Sequence, residues 1–368
     1  MGLNLHTHLE GWVRPETAAE LARDMGVSAP PGGWEDALRM PEPADLTVYL
    51  GHVAAAYPVL GAPESMRRVA REAVEDAAAD GCDYLEIRFG PSTHARTGFD
   101  IPAVIEAACA GLAEGSHATG LPAGLVVCAL RHLDESTNLA VARAAADAAG
   151  RGVVGFDVAG DELLYPALEP YRESFSIASA AGLGLTAHAA EAGPASAALD
   201  AVSLLGVRRI GHGSHIADDP ATLAWAAREG IAIEVCLTSN VFTGAARSIA
   251  EHPIHQFLAA GCRVVIGDDN PVNIGTTLAV EEGRLETEAG LTSDQVLAIR
   301  EVVVVAHARV NAVARRQLLE RGGHHGHERR TAGDEVARRH HQVGRLIVGG
   351  GHPSGDALGT GEGTDMQI

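Results

Sequence analysis

Lysine is missing from this chain of 368 residues: all 28 basic side chains are arginine, and 48 acidic ones outnumber them to leave a formal net charge of −20. Nucleic acids and anionic membranes are bound through basic patches. So acidic a balance argues against both as partners and leaves a small, neutral ligand open. Cysteine is sparse as well. Cys82, Cys109, Cys128, Cys236 and Cys262 are scattered, mostly in apolar runs and without a Cys-x-x-Cys pair. They read as reduced core thiols of a cytoplasmic protein. No apolar stretch reaches 18 residues, so no membrane span is expected. A cleaved leader is not expected either, because its removal would take away His6 and His8, where the functional reading starts.

What is present is a regular alternation. Short runs of Val, Ile and Leu at 2–6, 83–89, 125–130, 153–158, 184–188, 209–211, 231–235 and 263–266 read as eight strands buried on both faces. Ala-rich amphipathic segments lie between them, among them 64–80, 101–119, 138–149 and 195–205. Alternation of this kind implies a parallel sheet, and eight repeats imply an α/β fold of the closed (β/α)8 TIM-barrel type. The connection from Trp12 to Pro63 is too long for a simple turn. It is expected to add helices over the barrel mouth, with Trp34, Tyr49 and Tyr57 as an apolar underside, or to pack on itself. Residues 276–320 read as further helices. From Arg321 the chain is rich in Gly, His and Arg with little apolar periodicity. The expected division is therefore a catalytic barrel domain at 1–320 and a disordered tail at 321–368.

The residues able to do chemistry fall just after the expected strands. His6 and His8 share one face of an extended segment, because side chains repeat every second residue. His188 follows a later strand, with Glu191 three residues on. His212 sits between Gly211 and Gly213, and Asp268 and Asp269 precede Asn270 and Pro271. In a barrel these positions converge on the C-terminal mouth. Taken singly, each is as compatible with ordinary structure as with ligation, since a lone histidine is usually hydrogen-bonded and Asp-Asp-Asn-Pro suits a turn. Their coincidence on one rim is what suggests a site: three imidazoles and a carboxylate suit one zinc ion with a position left for water.

The sequence resembles the adenosine deaminase family of metal-dependent amidohydrolases. The matching segments are LHTHLEG (5–11), LEIRFGP (85–91), VVGFDVAGDE (153–162), TAHAAEAG (186–193), RIGHGSH (209–215), IEVCLTSNVFTG (233–244) and the stretch 252–271 ending in GDDNP. They run in family order over about residues 1–320. The resemblance implies the barrel, and a catalytic zinc held by His6, His8, His188 and Asp268. It also implies hydrolytic deamination of a 6-aminopurine nucleoside, adenosine by default, with water acidified toward ~7 by the metal. Asp268 would take the proton from that water, His212 would orient the attacking oxygen, and Glu191 would protonate ring N1. Glu191 must then be protonated at working pH, so burial is expected to raise its pKa. Substrate contacts would come from His8, Glu10 at the sugar hydroxyl, the Gly160 amide at N3 and Asp269 at N7.

Three departures from the family pattern bear on the substrate. Glu10 stands where Asp is common, Trp12 stands at a position that is usually small, and Asn270 reads as an insertion before Pro271. They keep adenine, aminodeoxyfutalosine or a modified aminopurine nucleoside open as substrates of the same reaction. A non-catalytic purine-binding relative is disfavoured because no polar site residue is lost. Two-metal relatives bridge their metals with a carboxylated lysine, which a chain without lysine cannot supply.

Overall fold

The Val-, Ile- and Leu-rich runs form eight parallel strands: β1 (Gly2–His8), β2 (Cys82–Phe89), β3 (Ala123–Leu130), β4 (Val153–Ala159), β5 (Gly184–Ala189), β6 (Arg209–His212), β7 (Ala232–Val235) and β8 (Arg263–Ile266). They are seen in a computed structural model that describes residues 2–300. Spatial order follows chain order from β1 to β8. Past β8 the backbone returns to β1: His8 N–H donates to the Asp269 carbonyl at 2.7 Å, and Asp269 N–H donates to the His6 carbonyl at 3.0 Å. These bonds close the expected (β/α)8 barrel. The strands differ from expectation only at their ends. β1 runs two residues further, through both histidines, because its pairing with β2 continues to His8↔Arg88.

The outer helices form where local signals allow. Helix Ile101–Thr119 starts at Asp100, whose carboxylate accepts from the Ala103 N–H, and stops at Gly120 in the left-handed region. Helix Glu135–Asp147 is capped in the same way by Asp134. It begins earlier than the apolar periodicity suggested, because the cap precedes the first apolar residue. In the connection after β1 stand helices Pro15–Met25, Gly33–Leu38 and Leu46–Ala54. Trp34 packs into the main core. Tyr49 instead joins a separate small cluster with Met40, Leu46, Val53 and Ile274. Helix Leu278–Thr287 opens the segment expected at 276–320. The remainder of that segment, the boundary at 320/321 and the tail lie outside the described residues. None of the described helices is long and apolar enough to cross a membrane.

The barrel lumen is charged. Arg88, fully buried, donates to Asp157 Oδ2 at 2.8 Å, Glu234 Oε2 at 2.9 Å and the Leu5 carbonyl at 2.6 Å. Arg209 donates to Glu86 Oε2 at 2.6 Å and to Glu234 Oε1 at 2.5 Å. Charges removed from water persist only when paired and hydrogen-bonded. Here the two arginines knit β2, β4, β6 and β7 together just below the mouth. Replacing Arg88 by Met should leave Asp157 without its arginine and Glu234 with Arg209 alone, and cost about 3–5 kcal/mol, read as a lower urea midpoint at unchanged slope.

Candidate active site

Four strand ends bring the polar groups together. The rings of His6 and His188 are 4.7 Å apart, and those of His6 and His212 are 4.6 Å apart. His8 Nε2 lies 3.2 Å from His188 Nε2 and 3.4 Å from Asp269 Oδ1, which is 3.6 Å from His6 Nε2. Donors placed about 2.0–2.1 Å from one tetrahedral zinc are about 3.3–3.4 Å from each other, so these separations fit a single ion among His6, His8, His188 and Asp269. His6 Nε2 is buried and has no hydrogen-bond partner among the described residues, as a ligand atom requires. Burial pushes His8 and His212 well below the ordinary imidazole value. Both are therefore neutral at pH 7, the ligating form.

The residues behind these rings set their orientation. His6 Nδ1 bonds Glu234 Oε2 at 2.8 Å. His188 Nδ1 lies 3.0 Å from Asp157 Oδ2. His212 Nδ1 bonds the Asn240 amide nitrogen at 3.0 Å. Asp269 Oδ2 accepts from Tyr49 Oη at 2.6 Å and from Ser239 Oγ at 2.5 Å, which leaves Oδ1 toward the histidines. Burial opposes ionisation of Asp269, but the surrounding His6, His8 and His212 hold its pKa well below the usual carboxylate range. Two close backbone approaches need glycine. A Cβ on Gly267 would stand 2.5 Å from the His6 carbonyl, and one on Gly211 would stand 2.9 Å from His6 Cε1. Among the described residues, the non-glycine residues with positive φ are Ala190, His212 and Asp269, at 54°, 61° and 59°. All three follow or end site strands, where such strain is typically stored.

Glu191 is buried, its Oε1 3.7 Å from His212 Nε2. Burial, with Asp269 and Glu162 nearby, pushes its pKa up to about 8, in the direction expected from sequence. Its loop is held by Glu162, which accepts from the N–H groups of Ala190 (2.8 Å), Glu191 (3.0 Å), Ala192 (3.2 Å) and Gly193 (3.0 Å). A cavity of about 270 Å³ opens over this cluster. Its polar side carries His8, Glu10, Gly160, Glu191 and Asp269, and its apolar side carries Leu46, Leu50, Val53 and Tyr57. Helix Leu46–Ala54 thus covers the mouth, with Tyr49 and Tyr57 on the cavity and Trp34 away from it.

A model of the adenosine deaminase family matches residues 3–321. An adenosine deaminase from Enterococcus faecalis is 35% identical over 300 residues, spanning 80% of this chain and 87% of its own. One from Klebsiella pneumoniae is 36% identical over 300 residues, spanning 80% and 89%. The chain belongs to the adenosine deaminase family. Among solved structures, an adenine deaminase from Arthrobacter aurescens has a TM-score of 0.77 at 26% identity, with 87% of this chain and 98% of that one covered. An Arabidopsis N6-mAMP deaminase has a TM-score of 0.76 at 22% identity, covering 86% and 96%, and shares the fold.

Within this family member, two expectations need correction. Asp268 does not join the histidines. Side chains alternate along β8, and Val265, paired with Glu234, faces the lumen; residues 267 and 269 then face inward and Asp268 faces out. Asp268 is buried beside Thr7 and Asn4 without a well-formed hydrogen bond to its carboxylate among the described residues. That burial raises its pKa to about 7. Asp269, expected at ring N7, takes the inward place, and Asn270 lines the cavity next to it. Trp12 is also turned away: its Nε1 donates to Thr7 Oγ1 at 2.8 Å and its ring lies in the core. Glu10 does line the cavity, held by His94 Nε2 at 3.0 Å. Sequence reasoning passed over Asp157, Glu162, Glu234 and Asn240. Asp157 and Glu234 carried a signal, as lone charges inside apolar strand runs.

Glu162→Ala should strand the N–H groups of residues 190–193 and destabilise the fold by at least roughly 1–3 kcal/mol. Glu162→Gln, which can still accept with one oxygen, should lose less. Thermal unfolding of the two variants checks the order.

Proposed function

We propose that this protein is a zinc-dependent aminopurine deaminase, converting adenosine or deoxyadenosine to the 6-oxo nucleoside and ammonia. The observation that carries the reading is the convergence of a one-ion ligand set with a protonated Glu191 on the floor of one covered cavity. His6, His8, His188 and Asp269 would hold the metal. Bound there, zinc supplies a water whose pKa is lowered toward ~7.

The chain's own groups do the rest. Glu191, neutral below about pH 8, gives its proton to ring N1 and makes C6 electrophilic. Asp269 Oδ1 accepts the proton of the attacking water, while Tyr49 and Ser239 hold Oδ2 in place. His212 steadies the oxygen as it bonds C6. Asp269 passes that proton to N6, the C6–N6 bond breaks and ammonia leaves; the remaining O–H proton returns to Glu191, leaving C6=O and the proton on N1. Gly160 and Glu10 line the walls where N3 and the sugar would lie.

The cavity lining contains acidic groups but no arginine among the described residues, which favours a neutral nucleoside over a phosphorylated one. Free adenine is the second reading, favoured by the likeness to the Arthrobacter adenine deaminase.

Ammonia release measured across adenosine, deoxyadenosine, adenine and AMP tests the assignment. Adenosine or deoxyadenosine should dominate and AMP should be poor; no release from any of them would overturn it. Asp269→Asn should lose more metal affinity than the roughly 10–100-fold typical of a supporting partner, whereas Asp268→Asn should retain the metal. Metal analysis after dialysis against a chelator separates the two. The acid form of Glu191 is the working one, so kcat should fall as pH rises past about 8. Glu191→Gln should abolish that limb and cost roughly 10²–10⁴ in kcat.

A further inference from the structure

His6, His188 and His212 form one cluster of imidazoles, yet the groups behind them sort them into two kinds. A carboxylate can only accept, so the bond between His6 and Glu234 requires a proton on Nδ1 and leaves Nε2 bare for a metal; behind His188 the Asp157 carboxylate stands 3.0 Å from Nδ1 and favours the same form. Behind His212 the chain of donors runs the other way, and it starts from a group that cannot be turned round. The N–H of Ile254, the first residue of helix Ile254–Ala260, donates to His252 Nδ1 at 3.1 Å. A backbone N–H only donates, so this Nδ1 carries no proton. Burial, with His255 nearby, pushes His252 down to about 3. The ring is neutral and its proton sits on Nε2. That Nε2–H lies 3.0 Å from Asn240 Oδ1, which decides which way the amide faces. The other end of the amide, Nδ2, lies 3.0 Å from His212 Nδ1. An amide NH2 only donates, so His212 Nδ1 accepts and its proton belongs on Nε2.

We propose that His252 and Asn240 are positioning residues that lock His212 as the Nε2–H tautomer, so that it donates a hydrogen bond to the reacting oxygen and does not compete for the metal. The part concerning the reacting oxygen rests on the deaminase reading; the tautomer does not. Both positioning residues are buried, Asn240 at 0% and His252 at 1% exposure, and neither lines the cavity. They act only through His212. Without them, a fourth imidazole within reach of the ion would be free to present a lone pair.

Nitrogen-15 spectra of the full chain labelled in histidine, loaded with zinc and without substrate, read the tautomer directly. His212 signals are assigned by their loss in His212→Gln. Wild-type His212 should show a protonated Nε2 and a bare Nδ1. Asn240→Asp, the same shape with only acceptors, should invert the ring to Nδ1–H. Its kcat should fall about 10²–10³-fold, the scale for loss of one donor to a developing oxyanion. KM should stay within about twofold, and zinc affinity should not weaken. A wild-type His212 protonated on Nδ1 overturns the proposal whatever the substrate is, and so does an inverted ring in Asn240→Asp with unchanged kcat. An Nε2–H ring in a protein that deaminates no aminopurine would sink the functional reading and leave the tautomer assignment standing.

Discussion

Two backbone hydrogen bonds between residues 6–8 and Asp269 hold the rest of this molecule in its working form. They close the barrel, and they bring two histidines from the start of the chain against a carboxylate more than 250 positions later. A barrel has no free edge once this seam is made. The close approach is also what demands glycine at 267, since any side chain there would strike the His6 backbone. Fold closure and site assembly are therefore the same event.

Below the mouth, the barrel spends its interior on charge. Arg88 and Arg209 pair with Glu86, Asp157 and Glu234, and two of those carboxylates in turn face His6 and His188. Buried ion pairs contribute little net stability compared with apolar packing. Their value here lies in geometry: the Glu234 carboxylate holds the proton of His6 on Nδ1, and Asp157 stands beside Nδ1 of His188. His212, backed by an amide instead, faces the same space with the opposite hydrogen-bonding sense. On the proposed reading, one cavity would thus combine ligand nitrogens and a donor nitrogen from a single residue type. Burial pushes the neighbouring Glu191 up while Asp269 is held down, so two buried carboxyl groups on one cavity are set apart by their surroundings.

The convergence of the candidate residues on one cavity was largely legible, and the misplacements are instructive. His6, His8, His188, Glu191 and His212 were found because period-two spacing and strand ends are local facts. Asp268 and Asp269 were interchanged because Asn270 was taken as an extra residue. Continuing the alternation of β8 from Val265 would have placed 269 inward without reference to the proline. Trp12 was taken to bear on the substrate from its place in the motif alone; its bond to Thr7, on the outward face of β1, draws the ring into the core instead. Glu162 and Asn240 had no local mark. Their roles come from backbone N–H groups and imidazoles that only the folded chain sets beside them.

The sequence by itself determined the alternation of strands and helices, the acidic and lysine-free surface chemistry, and the identity of the histidines and the acid at the mouth. Periodicity and strand ends depend on neighbours a few residues apart, and the chain states these openly. Which aspartate turns inward, which nitrogen of each ring carries the proton, and which aromatic residues of the long connection cover the cavity were decided by tertiary structure. Each depends on a partner from a distant strand or helix, and a one-residue change of register reverses the face that a side chain occupies.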